Sequence, residues 1–451
     1  MRPVCRICCL AAVVAALSAV LGTVCYGAEV RSTVLDNGLS VVTCPHPASD
    51  VASVFVGFRV GAGIVQPVGL RALLHEHNRA RVEQLLADDD SFAELASHLR
   101  DAGSVQWRVE WDYLQMYAVC TSARLEQVLR LVRAGLFAPD IQPELLEKGR
   151  QRLAEEYQNM MQRPAERAYY RFREAMLNDM AGAQPVFGKP EQVAQITPQQ
   201  ASDFARKYLQ AANATVVVVS PLSNEQALRL VEDALGTVKR GMAAPSPDRS
   251  CYPDSRVRVG STPRARVATM VVGVGLPGPG QPGFLVGQLL YNILGGAQGR
   301  LARDRSLFHA LALNLPFALL SQRTPLTVLP VTMSNRPHLA IYAECAPNVV
   351  GNVHEQLLRH INSLGAGAIR PEELQQGKQK LINSRARIML TAAGLAVHLG
   401  QMQMLGLPPA SFADETTQIE QLTIADVTAL AQSNFQNHYV GVDMPSPDEQ
   451  D

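Results

Sequence analysis

Three consecutive residues, His75, Glu76 and His77, carry the side chains best suited to chemistry. Imidazoles can bind zinc, and a carboxylate can act as a general base beside the metal. A helix is predicted over residues 69–86, and each helical residue advances about 100°, so His75 and His77 point to opposite faces. Histidines that bind one ion from a helix stand four residues apart, but Leu73 precedes His77 by four and has no lone pair. The helix alone therefore offers only part of a zinc site.

An internal repeat indicates which elements position these residues. Residues 143–161 match residues 371–389 without a gap, and both segments are predicted helices that begin at a proline. A second pair of segments, 196–205 and 422–431, keeps almost the same offset along the chain. Two matches in register predict a tandem duplication of one unit of about two hundred residues.

The first 28 residues have the pattern of a secretory signal peptide. After Arg2 and Arg6 the chain is apolar from Ile7 to Val24, and no acidic residue precedes Glu29. A retained membrane anchor and a mitochondrial presequence are the alternatives. We therefore predict an exported protein, periplasmic or extracellular, with no stable membrane span once the leader is removed.

The rest of the chain is predicted to form two α+β domains, residues 29–236 and 265–451, joined by a linker at 237–264 that is rich in Pro, Gly, Ser and Arg. Each domain is expected to contain an antiparallel sheet with helices packed on one face. In the first domain the predicted elements are a hairpin over 30–43, strands over 51–60 and 105–119, and helices over 69–86, 92–100, 125–137 and 144–161. In the second they are strands over 266–274, 326–333 and 339–344, and helices over 284–294, 349–364 and from 372 onward.

Composition and cysteine spacing exclude several classes of protein. Lys and Arg total 41 and Asp and Glu total 41, so the formal charge is zero, which argues against nucleic-acid binding. A hydrophobic fraction of 47% excludes a mainly disordered chain. Outside the leader, Cys44, Cys120, Cys251 and Cys345 show no C-x-x-C spacing, so no zinc ribbon is indicated. Three of them, Cys44, Cys120 and Cys345, are predicted to be buried as small apolar side chains, and a disulfide pair cannot be assigned.

A series of motifs resembles the pitrilysin/insulinase family of zinc metallopeptidases, which includes the mitochondrial processing peptidase, core subunits of the cytochrome bc1 complex and bacterial secreted members. The motifs extend in order over residues 29–443. They are Leu35-Asp-Asn-Gly-Leu-Ser-Val-Val, Val60-Gly-Ala-Gly, the helix that ends on Glu76-His77, Gly188-Lys-Pro-Glu, Leu294-Gly-Gly-Ala-Gln-Gly-Arg-Leu and Gly394-Leu-Ala-Val-His-Leu-Gly. The resemblance implies two homologous domains that form a clam-like chamber.

The resemblance also implies an inverted zinc motif, His-x-x-Glu-His, with a third ligand on a later helix. By position, the first ligand falls on Leu73, the catalytic base on Glu76, the second ligand on His77, and the third on Glu155 or its neighbour Glu156. With Leu73 at a ligand position, we expect Glu76, His77 and Glu155 to be vestigial and no cofactor to be bound.

Other interpretations of the same residues stay open. His75 can be an ordinary helical histidine, and Glu155 with Glu156 can form a solvated helix face. Trp107 and Trp111, an even number of residues apart, are expected to pack on one face of a strand.

Three functions are compatible with the sequence. The favoured one is an inactive subunit that partners a related active zinc peptidase as a heterodimer, or that forms a homodimer, in peptide or protein processing. The first alternative is an active zinc metalloendopeptidase with a rearranged site built from His77, Glu155 and His75. The second alternative is a structural core-type subunit without peptide chemistry.

Overall fold

The computed structural model describes residues 29–61, 67–138, 140–177, 183–245, 252–262, 267–296, 298–312, 326–331, 336–408 and 412–446. The predicted leader, residues 1–28, and Cys251 lie outside these ranges. The strands in the described part of the chain are β1 Arg31–Val34, β2 Ser40–Pro45, β3 Val51–Phe58, β4 Ser104–Val109, β5 Leu114–Thr121, β6 Ala214–Ser220, β7 Arg256–Thr262, β8 Ala268–Gly275, β9 Leu326–Val331, β10 His338–Cys345 and β11 His438–Pro445.

The helices of the first half are α1 Leu70–Asp88, α2 Ala93–Asp101, α3 Leu125–Leu136, α4 Pro143–Met161, α5 Pro164–Leu177, α6 Pro190–Ala194, α7 Pro198–Tyr208 and α8 Asn224–Leu235. Those of the second half are α9 Phe284–Leu294, α10 Arg300–Arg303, α11 Arg305–Ala312, α12 Val350–Gly365, α13 Pro371–Met389, α14 Ala392–Met404, α15 Phe412–Gln421 and α16 Ile424–Asn434. None of the helices in these ranges is both long and apolar enough to cross a membrane.

The two sheets have the same strand order, which confirms two homologous α+β domains. The first sheet runs β1-β2-β6-β3-β5-β4 and the second runs β7-β11-β8-β10-β9. Without the added strand β1, each position in one sheet has a counterpart in the other. Each sheet is antiparallel except for one parallel pair, β2 with β6 and β7 with β11. The parallel pair arises because the last strand of each half returns beside the half's first long strand.

Local sequence explains several of these elements. The hairpin of β1 and β2 turns at Gly38, whose φ of 87° favours glycine. Helices α4 and α13 both begin with a proline at their first position, where its missing N–H leaves no hydrogen bond unmade. Cys44, Cys120 and Cys345 are buried free thiols, as predicted, and burial raises the pKa of Cys120 to about 12.

Two sequence-based assignments differ from the structure. The strand predicted over 105–119 is a hairpin of β4 and β5, closed where the backbone N–H of Glu110 donates to the carbonyl of Tyr113 at 2.9 Å. Trp111 lies in this turn, so it does not share a strand face with Trp107. Within the segment assigned to the linker, Arg256–Thr262 forms strand β7. Its valines, Val257 and Val259, are exposed at the edge of the sheet, so this strand has no buried apolar face.

Each half packs its own helices on one face of its sheet. In the first half, the core between sheet and helices contains Leu73, Leu129 and Val216, and in the second half it contains Leu289, Ile341 and Leu357. The opposite face of each sheet is covered by a helix of the other half. Helix α5 packs on β8 and β11, and helix α14 packs on β3 and β6. The two halves are therefore joined by a reciprocal exchange of one helix.

Glycines allow the exchanged helices to approach the sheets closely. A Cβ at Gly441 of β11 would overlap the backbone of Ala168 and Phe172 in α5. A Cβ at Gly400 of α14 would overlap the ring of Phe55 in β3. The same kind of contact thus occurs at both exchanged helices, with the glycine on the strand in one case and on the helix in the other.

Candidate functional site

The candidate site lies where α1 crosses α4. Helix α1 begins after Gly69, which has a left-handed conformation with φ 88°. A Cβ at Gly149 of α4 would lie 3.1 Å from Leu73 Cδ1 and 3.3 Å from Glu76 Cβ. Glycine at this position therefore lets the two helices meet where the resemblance places the first ligand and the base.

The first ligand position is part of the hydrophobic core. Leu73 is fully buried and packs in the same cluster as Leu146 and Leu153 of α4. Its side chain offers only carbon atoms to this space, so no donor group replaces the missing histidine.

His77, at the second ligand position, has hydrogen-bond partners at both ring nitrogens. Its Nε2 accepts from the backbone N–H of Gln142 at 3.1 Å, and its Nδ1 lies 3.3 Å from Asn78 Oδ1. Since Nε2 accepts, Nδ1 carries the proton and donates to Asn78. Burial lowers the pKa of His77, which keeps the ring neutral. The lone pair that a metal would need is thus already used.

Glu76, at the position of the base, lies between two arginines. Its Oε2 atom is 3.6 Å from Arg79 Nη1 and 3.7 Å from Arg152 Nη1. Both arginines form closer ion pairs with Glu83, at 3.1 Å and 2.6 Å. Burial raises the pKa of Glu76 more than the two guanidinium groups lower it. The carboxylate is therefore part of a four-residue ionic network.

A cleft of about 600 Å³ opens beside this network. Glu76, Arg152, Glu155 and Glu156 line it, together with the aromatic ring of Trp107. Glu155 and Glu156 are exposed on α4, as expected for a solvated helix face. His77 is not among the described residues that line the cleft. The structure thus brings Glu76 and the two candidate third ligands to one cleft but leaves His77 outside it.

His75 faces the cleft and is buried. Its ring packs edge-on against Trp107, with centroids 5.2 Å apart and an interplanar angle of 73°. Burial lowers the pKa of His75 to about 3, with smaller contributions from Arg79 and Arg71. Its Nε2 atom is buried and forms no hydrogen bond. Packing therefore accounts for Trp107, whereas His75 keeps one free polar atom in the cleft wall.

These residues do not fit the zinc ion that the family resemblance implies. In the described ranges, no group of three His, Cys, Asp or Glu residues is placed to hold a metal ion. Leu73 has no donor atom, and His77 Nε2 accepts from Gln142. Sequence reasoning missed the arginines, although the spacing of Glu76 and Arg79 is typical of an ion pair along a helix.

Comparisons with known proteins agree with this fold. Residues 195–381 match the sequence model of the family described as "Peptidase M16 inactive domain". No curated protein matches the sequence. Solved structures that are similar over nearly the whole chain include a protease from Helicobacter pylori (TM-score 0.80, 18% identity, 93% of this chain and 100% of that chain) and the peptidase M16 inactive domain from Pseudomonas fluorescens (0.79, 16%, 93% and 98%). A chain of complex III2 from Candida albicans is similar as well (0.74, 15%, 94% and 98%).

At these identities the structural likeness shows the fold. The family match begins in the first half, at Gln195, and ends in α13 of the second half, at Leu381. Two domains of one strand order, the family match over residues 195–381 and the similar solved structures together show the fold of the M16 peptidases, in agreement with the resemblance of the motifs to the pitrilysin/insulinase family.

Proposed function

We propose that this protein is a catalytically inactive M16 family member that acts as the non-catalytic subunit of a peptide- or protein-processing complex. The observation that carries the proposal is the hydrogen bond from the Gln142 backbone N–H to His77 Nε2, beside a buried Leu73. Leu73 has no atom that can coordinate a metal ion, and the Nε2 lone pair of His77 already accepts a hydrogen bond within the fold. A base at Glu76 has no metal-bound water to act on without these ligands.

The ionic network around Glu76 supports the same proposal. Arg79 and Arg152 place two positive charges beside this carboxylate, and both are anchored by Glu83. A guanidinium group compensates a partly buried carboxylate, and it activates no water for attack on a peptide bond. The charges beside Glu76 therefore fit an ionic network better than a hydrolytic site.

A partner subunit is the second part of the proposal. The similar chain in complex III2 from Candida albicans belongs to a multi-subunit assembly, and the structure from Pseudomonas fluorescens is named as an inactive domain. We propose a related active zinc peptidase as the partner, in a heterodimer, with a second copy of this chain as the alternative. The apolar leader favours an exported complex, periplasmic or extracellular.

The test measures zinc content and peptide hydrolysis of the purified mature protein. We expect well under one zinc ion per chain and no cleavage of an unstructured fluorogenic peptide. The variant Leu73→His restores the missing side chain, but we expect it to remain low in zinc because Gln142 still engages His77. Stoichiometric zinc in the natural protein, with cleavage that a chelator and Glu76→Gln both abolish, would overturn the proposal.

One observation favours an active enzyme with a rearranged site. The unpartnered Nε2 of His75 lies in the wall of the cleft that Glu76 and Glu155 also line. If His75 acts as a ligand there, His75→Gln lowers zinc content and activity together. If the protein is an inactive subunit, neither the natural protein nor His75→Gln shows zinc-dependent activity.

The likeness to a chain of complex III2 favours a structural subunit without peptide chemistry. Affinity purification of the tagged protein from its own cells distinguishes this alternative from the processing complex. Recovery of a peptidase with an intact His-x-x-Glu-His motif supports the processing complex, whereas recovery of redox subunits supports the structural one.

A further inference from the structure

The second half contains a counterpart of the cleft beside Glu76. Helix α9 crosses α13 at Gly377, where a Cβ would lie 2.9 Å from Ile293 Cγ1 and 3.1 Å from Leu289 Cδ1. Like α1, helix α9 begins after a left-handed glycine, Gly283 with φ 84°. Beside this crossing lies a cleft of about 790 Å³, here named the C-terminal cleft. Its lining includes Tyr291, Asn292, Lys380, Ser384, Arg387 and Leu390.

The internal repeat shows how the charge of this cleft differs from that of its counterpart. In the gap-free alignment of α4 with α13, Glu155 and Glu156 correspond to Asn383 and Ser384. Arg152 corresponds to Lys380, which keeps the positive charge, and Asn159 corresponds to Arg387, which adds one. None of the described residues that line the C-terminal cleft is acidic. The cleft is therefore basic, whereas its counterpart contains both signs of charge.

The cations of the C-terminal cleft have no carboxylate partner among the described residues. Arg303 lies near Lys380, and its guanidinium donates to the Gln298 carbonyl and, at 2.7 Å, to Gln376 Oε1, neither of which is charged. The nearby acid Glu373 pairs with Arg300 and Arg370 instead. Burial and the Arg303 charge both lower the pKa of Lys380, as expected for cations crowded together without an anion.

In the first half, the cation that corresponds to Lys380 has carboxylate partners. Arg152, the counterpart of Lys380, forms an ion pair with Glu83 at 2.6 Å and lies 3.7 Å from Glu76. Two carboxylates thus compensate the cation in one cleft. In the other cleft the corresponding charge and its neighbour Arg387 are left for an external anion.

The same cleft exposes apolar surface. Tyr291 is 36% exposed and Leu390 is 58% exposed, and both belong to the small set of exposed large apolar residues in the described chain. Side chains of this kind beside a polar rim mark binding sites for proteins rather than for small ions. Asn383 and Ser384 add uncharged hydrogen-bonding groups between the cations.

We propose that the C-terminal cleft binds an acidic, partly apolar peptide segment of a partner protein. Carboxylates would meet Lys380 and Arg387, and an apolar side chain would pack between Tyr291 and Leu390. A single phosphate would leave the apolar residues uncovered, and a neutral chain with 41 basic and 41 acidic residues lacks the charge excess for nucleic acid. The proposal concerns a different cleft from that of Glu76, and it holds whether or not that site hydrolyses peptides.

The test uses the full mature protein and a short fluorescein-labelled peptide in which Glu and Leu alternate, with binding followed by fluorescence anisotropy. We expect saturable binding that weakens as salt screens the charges. The double variant Lys380→Glu/Arg387→Glu should weaken binding about tenfold or more. The matched control is Arg359→Glu, an exposed cation on α12 outside the cleft, and it should bind as the natural protein does.

Four results would overturn the proposal. The first is no saturable binding of the acidic peptide, and the second is equal binding of a peptide with Gln in place of every Glu. The third is equal loss of binding in Arg359→Glu and in the double variant. Thermal unfolding checks that the natural protein, the double variant and Arg359→Glu are all folded. If Lys380→Glu/Arg387→Glu does not fold, Lys380→Gln/Arg387→Gln replaces it in the binding measurement. Full displacement of the peptide by inorganic phosphate would also reject it, since a phosphate site would then account for the binding.

Discussion

The backbone N–H of Gln142 donates a hydrogen bond of 3.1 Å to Nε2 of His77. Gln142 precedes Pro143, the first residue of α4, so its N–H belongs to a helix end where donors lack partners within the helix. The imidazole at the second ligand position therefore holds the start of α4 against α1. A residue type associated with metal binding has a structural partner in this protein.

We expect His77→Ala to lower the free energy of unfolding by about 1–3 kcal/mol, because the half-buried N–H of Gln142 loses its acceptor. The measurement is urea denaturation. Glu155→Ala is the control, and as an exposed substitution it should change stability by no more than about 0.5 kcal/mol. If treating the natural protein with a chelator lowers its stability as much as His77→Ala does, metal binding rather than this hydrogen bond explains the effect.

Local pattern was sufficient to predict much of the fold. The proline starts and apolar spacing of α4 and α13 identified two copies of one helix, and their offset indicated the duplication that the strand orders confirm. The hairpin of β4 and β5 was missed because Trp111 and Tyr113 continue the alternating pattern through the turn, which has no Gly or Pro.

The exchange of helices between the halves was beyond sequence reasoning. Helices α5 and α14 each cover a sheet formed mainly by residues far away in the chain, and periodicity shows which face is apolar but not which sheet it meets. The candidate site could be predicted from sequence only in part, for the same reason. The sequence placed Leu73, Glu76 and His77 on one helix, but the acceptor role of His77 depends on the backbone of Gln142 in another segment.

Asp443 should be a major contributor to the joining of the two halves. This carboxylate of β11 is 1% exposed and contacts Arg167 Nη2 at 2.8 Å and Arg171 Nη1 at 2.9 Å, both on the exchanged helix α5. Thr262 also donates to it at 2.9 Å. Asp443→Asn leaves two arginines without a counter-charge, so we expect a loss of about 3–5 kcal/mol in urea denaturation.

The control for Asp443 is the exposed pair of Glu94 with Arg124, since the Glu94 side chain is 74% exposed. Glu94→Gln should change stability by about 0–1 kcal/mol. Similar losses in the two variants would show that the buried network has no special part in holding α5 to its sheet.

Gly400 permits the docking of the other exchanged helix. Gly400→Ala places a methyl group against the ring of Phe55, which is fully buried, so we expect a loss of about 1–3 kcal/mol or more. Gly351 of α12 is the matched control because a Cβ there meets nothing within 4 Å. Gly351→Ala should stabilise the protein by about 0.5–1 kcal/mol through helix propensity. Thermal unfolding distinguishes the two, and stabilisation by both substitutions would mean that the contact of α14 with β3 is not tight.

His338 should make the contact between α5 and the second sheet sensitive to acid. Its Nε2 accepts from the Tyr169 hydroxyl at 3.0 Å, and its Nδ1–H donates to the Arg336 carbonyl at 3.0 Å. Burial lowers the pKa of His338 to about 3, and the nearby Arg173 charge adds to the effect. In the unfolded chain a histidine has a pKa of about 6.5, so unfolding takes up a proton between these values. The contribution of neutral His338 to stability should therefore be fully present above about pH 6.5 and be lost progressively as the pH is lowered towards about 3.

The measurement is urea denaturation at a series of pH values between about 4 and 6, where this one group contributes about 1.4 kcal/mol per pH unit. His338→Gln should reduce the slope of stability against pH by about one proton, even though it lowers stability at neutral pH. Tyr169→Phe removes a hydrogen bond to the same ring but no group that titrates in this range, so its slope should match that of the natural protein. If the two variants instead change the slope equally, the acid sensitivity comes from the loosened contact of α5 and not from protonation of His338.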